Sequence, residues 1–243
     1  MQKPRVLITM LITVATLCLL GACANTPVIT SSEKAVAKPA TADFTRPNHP
    51  QTEACQAPDY HTLDSIVRVA TLEVGGGDAS GVVIAPNVVL TAAHVLEGNE
   101  AGLVYIGQRY KKAVVLGEDP YSDLVLLGVG TENLEPIALS EMSLRISEAV
   151  WAVGYPLAQQ RTTTQGEFFS YRNGGLLTSA EIKAGSSGGG LLRCENGKFR
   201  LAGMVQSYLA YYRHGEPVSY PKRSISVPAD AILAFVHIHG IEL

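Results

Sequence analysis

Gly185-Ser186-Ser187-Gly188-Gly189 is the stretch on which the reading of this chain turns. A serine between glycines can sit on a tight bend, with neighbouring backbone N–H groups aimed at one spot where negative charge develops. The same letters also describe a flexible linker, so the segment alone decides little. Two upstream segments change its weight. Thr91-Ala92-Ala93-His94 ends an apolar, β-like run, and Ser122-Asp123-Leu124-Val125-Leu126-Leu127 opens another. Histidine, then aspartate, then serine is one of the chain orders in which a Ser-His-Asp triad occurs.

The chain has 243 residues, 47% hydrophobic and 17% charged, which excludes a wholly disordered protein. Residues 1–22 read as an export signal: Lys3 and Arg5 precede an apolar stretch from Val6 to Leu20 that is short for a membrane span. The stretch ends in Leu20-Gly21-Ala22-Cys23, similar to a bacterial lipobox, which makes Cys23 the expected lipidated N-terminus and the membrane the expected partner of that lipid. An ordinary signal peptide with a chance cysteine is the alternative. Ala24 lacks the aspartate associated with inner-membrane retention, so the periplasmic face of an outer membrane is the expected address. Removing the leader takes two basic residues and no acid from a chain of formal charge −3. A mildly acidic chain without basic runs argues against nucleic-acid binding. Of four cysteines, Cys18 leaves with the leader and Cys23 carries lipid, which leaves Cys55 and Cys194. In an oxidising compartment that even pair suggests a disulfide, with two free thiols as the alternative.

Residues 24–59 are rich in Ala, Thr, Ser and Pro without apolar periodicity and read as a tether, spanning roughly 30–36 Å if flexible. From Tyr60 onward short β-branched runs alternate with Gly and Pro turns. The pattern predicts strands at Ile66–Leu72, Gly81–Ala85, Val88–Leu90, Leu103–Ile106, Ala113–Leu116 and Leu124–Val129. A second group follows at Ala149–Val153, Thr162–Phe169, Gly174–Thr178, Gly190–Cys194, Leu201–Tyr208 and Ser224–Val227. Such a series suggests sandwiches or barrels. Ile232, Leu233, Phe235 and Val236 fit one face of a helix starting near Pro228. There is no internal sequence repeat.

Five blocks together carry a family resemblance. They are Ser80-Gly81-Val82-Val83-Ile84, Leu90-Thr91-Ala92-Ala93-His94-Val95, Ser122-Asp123-Leu124-Val125-Leu126-Leu127, Ala152-Val153-Gly154-Tyr155-Pro156 and Ile182 through Leu192. In this order they resemble trypsin-like serine proteases, most nearly the Deg (HtrA-type) protease domain. The resemblance implies an all-β fold of two six-stranded antiparallel barrels, about 60–140 and 141–228, closed by a C-terminal helix at about 229–238. It implies a serine endopeptidase acting on protein or peptide substrates, with no cofactor and no metal. His94 would be the general base, Asp123 its orienting partner, Ser187 the nucleophile, and the N–H groups of Gly185 and Ser187 the oxyanion hole. Two further readings stay open: a latent relative that binds protein partners through the same cleft, and a structural envelope lipoprotein.

The chain also departs from relatives. Ser186 stands where zymogen-type relatives use an aspartate to bind a freshly cut N-terminus, and no Ile-Val-Gly-Gly start is present. Both features imply activity without such a cleavage. The resemblance also implies that the chain ends about where the protease domain ends, without the PDZ domain many Deg proteases carry. For specificity, Glu181 is expected either at the floor of the primary pocket or facing solvent, with Ile182 as an apolar alternative. Gln206-Ser207-Tyr208 is the expected edge for an extended substrate, with Tyr208 narrowing the pocket and Ser224 and Ser226 as its opposite wall. His237 and His239 lie two apart, a spacing that does not share a helix face, and read as solvated rather than metal-ligating.

Overall fold

The computed structural model describes residues 55–72, 77–96 and 98–243. The expected leader, Cys23 and the tether as far as residue 54 lie outside them. Among the described residues the strands close into two barrels. The first contains β1 (Ile66–Ala70), β2 (Asp78–Ala85), β3 (Val88–Thr91), β4 (Ala101–Ile106), β5 (Arg109–Asp119) and β6 (Leu124–Gly128). The second contains β7 (Ala149–Gly154), β8 (Thr162–Arg172), β9 (Gly175–Thr178), β10 (Gly190–Glu195), β11 (Lys198–Arg213) and β12 (Glu216–Pro228). Around the first ring the order is β1-β2-β3-β6-β5-β4, closed by β1 on β4. The second repeats it as β7-β8-β9-β12-β11-β10, closed by β7 on β10. All the ladders are antiparallel. Closure gives each strand a neighbour on both sides, while β11 runs on past its pairing with β10, which ends at Met204.

The burial of each strand follows from what covers it. Along β4 buried positions alternate with more exposed ones, as a barrel wall with one wet face requires. In β2, β3 and β6 nearly every residue is buried. These strands lie under a second layer. Helix α3 (Ala229–Ile238) packs on β6, β11 and β12, and β2 also meets β7 of the other barrel. The helix buries Ala229, Ile232, Phe235 and Val236, while Leu233, expected on the apolar face, is largely exposed. His239 follows the helix and is not simply solvated. Its Nδ1–H donates to the Phe235 carbonyl at 2.9 Å, and its ring lies over Gly117, where any side chain would collide with it.

The chain enters the first barrel through a short helix, α1 (Tyr60–Asp64), that the sequence pattern did not predict. Asp59 caps it by accepting from the Thr62 N–H at 2.8 Å. Just before it, Cys55 is bonded to Cys194 on β10, with Cα atoms 5.7 Å apart. The expected bridge therefore exists, and it ties the start of the described residues to the strand that follows Ser187.

Beside Cys194 lies a buried ion pair. Arg193 is 5% exposed, and its guanidinium donates to Glu148 Oε1 at 2.7 Å and to the Met142 carbonyl at 2.6 Å. Glu148 in turn accepts from the Arg145 N–H at 2.8 Å. The pair fixes the segment joining the barrels to the second barrel. Replacing Arg193 with alanine removes the partner of the half-buried Glu148 carboxylate, and a loss of about 1–3 kcal/mol is expected. Urea unfolding measures it as a lower midpoint at unchanged slope, and the double variant Arg193→Met/Glu148→Gln is expected to recover part of the loss.

Candidate active site

His94 lies on a single helical turn, α2 (Ala93–Leu96), directly after β3. Asp123 lies at the mouth of β6, the strand hydrogen-bonded to β3, so sheet pairing brings the two together. Asp123 adopts a left-handed backbone, φ 59°, a conformation that aspartate tolerates better than most residues. Its carboxylate does two jobs. Oδ1 accepts from the His94 backbone N–H at 2.9 Å, holding the start of α2. Both oxygens also lie 2.9 Å from His94 Nδ1. An ionised carboxylate can only accept, so Nδ1 carries the proton and Nε2 keeps its lone pair.

The electrostatics agree with that assignment. The hydrogen bond to Asp123 raises the His94 pKa above its ordinary 6.5, partial burial opposes the rise, and the charge of Asp123 adds to it. For Asp123, burial favours the neutral acid, but the hydrogen bonds from the His94 ring and backbone outweigh it and hold the carboxyl below its usual range. The Gln206 side chain adds a smaller hydrogen-bond contribution in the same direction.

Ser187 belongs to the other barrel, on the 181–189 loop before β10. It shares a cleft of about 790 Å³ with His94, Asp123, Ile182, Gly185, Gln206, Ser207 and Tyr208. Its Oγ donates to the Gln206 carbonyl at 3.2 Å, and among the described residues no hydrogen bond joins it to His94. That carbonyl is available because β11 bulges there. Val205 pairs with Ser226 and Ser207 with Ile225, which leaves Gln206 unpaired across the ladder.

Gly185 and Ser187 both present N–H groups that no protein acceptor takes among the described residues. Their direction follows from what holds the loop. Leu157, in the 3-10 turn Pro156–Ala158, donates its N–H to the Ala184 carbonyl at 2.7 Å. Across a trans peptide the carbonyl and the next N–H point oppositely, so the Gly185 N–H is turned away from Leu157. Gly185 has φ +90° and no room for a Cβ, which would lie 2.7 Å from the Tyr155 carbonyl. Leu157 itself sits at φ 54°, a costly conformation for a non-glycine residue, at the point where its N–H supports the loop.

The expected specificity residues separate. Ile182, Gln206, Ser207 and Tyr208 line the cleft with Ser187. Glu181 does not. It lines a neighbouring recess of about 270 Å³ with Leu157, Thr162 and Thr164, and its carbonyl accepts from Thr164 Oγ1 at 2.7 Å. Glu181 is exposed, and of its two expected placements the pocket floor finds no counterpart in the lining of the cleft with Ser187. Ser224 and Ser226 are buried instead of walling the cleft. Ser224 Oγ donates to the Ala180 carbonyl at 2.9 Å, while Ser226 Oγ has no hydrogen-bond partner among the described residues. The second role of Gln206, toward Asp123, had no signal in the sequence, because nothing in the letters announces a bulge. Among the described residues no cluster of His, Cys, Asp and Glu is set to hold a metal ion.

Comparison with known proteins agrees with this architecture. A model of the trypsin-like peptidase domain matches residues 79–204, just over half of the chain. "Serine protease Do-like HtrA" of Lactococcus lactis is 28% identical over 181 residues, 67% of this chain and 41% of that protein. A probable periplasmic serine endoprotease, DegP-like, of Pseudomonas fluorescens is 31% identical over 137 residues, 52% of this chain and 27% of that protein. The chain thus spans less than half the length of these relatives. In the solved structures, the active form of the Rv3671c protease from M. tuberculosis superposes with a TM-score of 0.65 at 21% identity, covering 93% of this chain and 96% of that one. The serine endoprotease from Yersinia pestis gives 0.63 at 22%, over 76% and 68%. At such identities the superpositions establish the fold alone. With the two closed barrels and the matching domain model, the chain belongs to the trypsin-like peptidase family.

Proposed function

We propose that this chain is a serine endopeptidase of the HtrA/Deg type, exported and held at the envelope by a lipid on Cys23. One observation carries the catalytic part: an Asp123-oriented His94 faces the same cleft as a serine flanked by two unpaired N–H groups. In this reading Ser187 Oγ attacks the scissile carbonyl carbon and its proton passes to His94 Nε2. The N–H groups of Gly185 and Ser187 bind the oxyanion. Collapse of the tetrahedral intermediate breaks the C–N bond, and His94 returns the proton to the leaving amine. Water, deprotonated by His94, then hydrolyses the acyl-enzyme by the reverse sequence. An extended substrate adds along Gln206–Tyr208, and its N–H takes the Gln206 carbonyl that Ser187 Oγ occupies in the free protein. That exchange releases the hydroxyl toward His94. The side-chain pocket is apolar at Ile182 and flanked by Tyr208. The lipobox-like Leu20–Cys23 and the periplasmic relatives support the envelope location.

Intact mass after treatment of the full-length protein with a fluorophosphonate tests the reading. One adduct on Ser187, absent in Ser187→Ala, is the expected result. A folded protein that stays unlabelled favours a latent, partner-binding relative, the reading to which the Ser187–Gln206 hydrogen bond lends itself.

A further inference from the structure

Ser80 is fully buried on β2 of the first barrel, yet it touches the second barrel at both residues that offer free N–H groups. Its Oγ donates to the Gly185 carbonyl at 2.8 Å and accepts from the Tyr155 N–H at 2.8 Å. Its backbone N–H donates to the Ser187 carbonyl at 2.9 Å. Its own carbonyl accepts from Thr91 Oγ1 at 2.6 Å, which ties the arrangement to β3 just ahead of α2 and His94. We infer that Ser80 is the positioning residue that sets the oxyanion hole, anchoring it to the barrel that carries His94 and Asp123. This inference rests on the serine-hydrolase reading above.

The chemistry selects the residue type. The site needs one donor for the Gly185 carbonyl and one acceptor for the Tyr155 N–H, both partly buried, and a hydroxyl supplies the two at once. Space selects it too. A Cβ added at the neighbouring Gly154 would lie 2.8 Å from Ser80 Oγ and 3.1 Å from the Ser186 Cα, so the hydroxyl sits in a packed seam. Leu157 holds the preceding carbonyl, of Ala184, and Ser80 holds that of Gly185. Between these two fixed carbonyls the Gly185 N–H has one direction available. The hole is therefore formed without the aspartate–ammonium pair of zymogen-type relatives, whose aspartate is replaced here by Ser186.

The test compares full-length protein with Ser80→Ala on a p-nitrophenyl ester and on its thionoester, in which sulfur replaces the carbonyl oxygen. A formed hole strongly prefers oxygen. Because deleting one hole donor costs about 10²–10³ in rate, loosening one through Ser80→Ala is expected to slow ester acylation about 10–100-fold. The thionoester rate is expected to change much less, so the oxygen-to-sulfur preference collapses, which a general loss of stability would not produce. An unchanged preference in folded Ser80→Ala overturns the inference. Should that variant not fold, Ser80→Cys, of similar volume with a weaker donor, carries the same test with the same two outcomes. If the wild type itself fails to react with fluorophosphonate, the enzymatic reading fails first; if the wild type reacts and the variant matches it, only the role of Ser80 fails.

Discussion

Asp123→Asn is expected to slow acylation of Ser187 by about 10⁴-fold while leaving the fold intact. Asparagine keeps an oxygen where Oδ1 accepts the His94 backbone N–H, so the start of α2 is retained. That one remaining oxygen is engaged by the backbone N–H, while the amide nitrogen takes the place of Oδ2, 2.9 Å from Nδ1, and faces it as a donor. To accept from it, His94 must carry its proton on Nε2, the nitrogen that has to take the proton of Ser187. The base is thus blocked by its tautomer, not by its position. Fluorophosphonate labelling rates of the full-length protein measure the effect, and circular dichroism checks the fold. A variant that labels within tenfold of wild type would sink the assignment of Asp123.

The same pair fixes the pH dependence. Acylation needs neutral His94, so the rate rises with pH through a value above the ordinary 6.5, because Asp123 raises the imidazole pKa. In Asp123→Asn the raising interactions are gone and burial remains, so the residual activity is expected to titrate at lower pH. Stability runs in the opposite sense for the histidine. The part of the stability linked to its raised pKa is fully present below the ordinary imidazole value and fades as pH climbs through the raised one. For Asp123, with its pKa lowered, the linked stability is present above the ordinary carboxylate value and fades in acid.

Much of this was legible in the letters because the two-barrel fold is written in local signals. Apolar runs such as Val88–Thr91 and Leu124–Gly128, bounded by turn formers, mark strands wherever both faces are buried. His94, Asp123 and Ser187, singled out by their chain order, line one cleft. Two features escaped for physical reasons. The β11–β12 hairpin runs well past Tyr208, through a turn at His214-Gly215 with φ of 55° and 86°. Its outer part, with Tyr211, Tyr212 and Arg213 exposed, has no buried face to impose alternation. The burial of Arg193 has no local signal, because its partner Glu148 is distant in sequence. Closure into two barrels came with the family resemblance, since the local pattern alone allows sandwiches or barrels. The second barrel repeats the strand order of the first without repeating its sequence, since a barrel constrains which face is apolar and not which residue provides it.

The other large effect belongs to Gly188, and it tests how rigidly the barrels hold Ser187 between them. Gly188 has φ +82°, and its N–H donates to the Val205 carbonyl at 2.8 Å. A Cβ built there would overlap the Ser80 carbonyl oxygen and Thr91 Oγ1, two groups already locked to each other by a hydrogen bond. Neither can retreat: one is backbone of β2, the other a fully buried side chain of β3. Alanine at 188 must therefore part the barrels or turn the loop over. The left-handed conformation and the overlap each cost about 1–3 kcal/mol, so the expected destabilisation is about 3 kcal/mol or more, with labelling of Ser187 lost. Gly174 separates the two costs. It has φ +81° but open space around its missing Cβ, so Gly174→Ala is expected to lose about 1 kcal/mol and to label normally. Urea midpoints and labelling rates of both full-length variants decide the matter. If Gly188→Ala behaves like Gly174→Ala, the seam between the barrels yields more readily than its packing implies, and Ser80 cannot hold the oxyanion hole as rigidly as inferred.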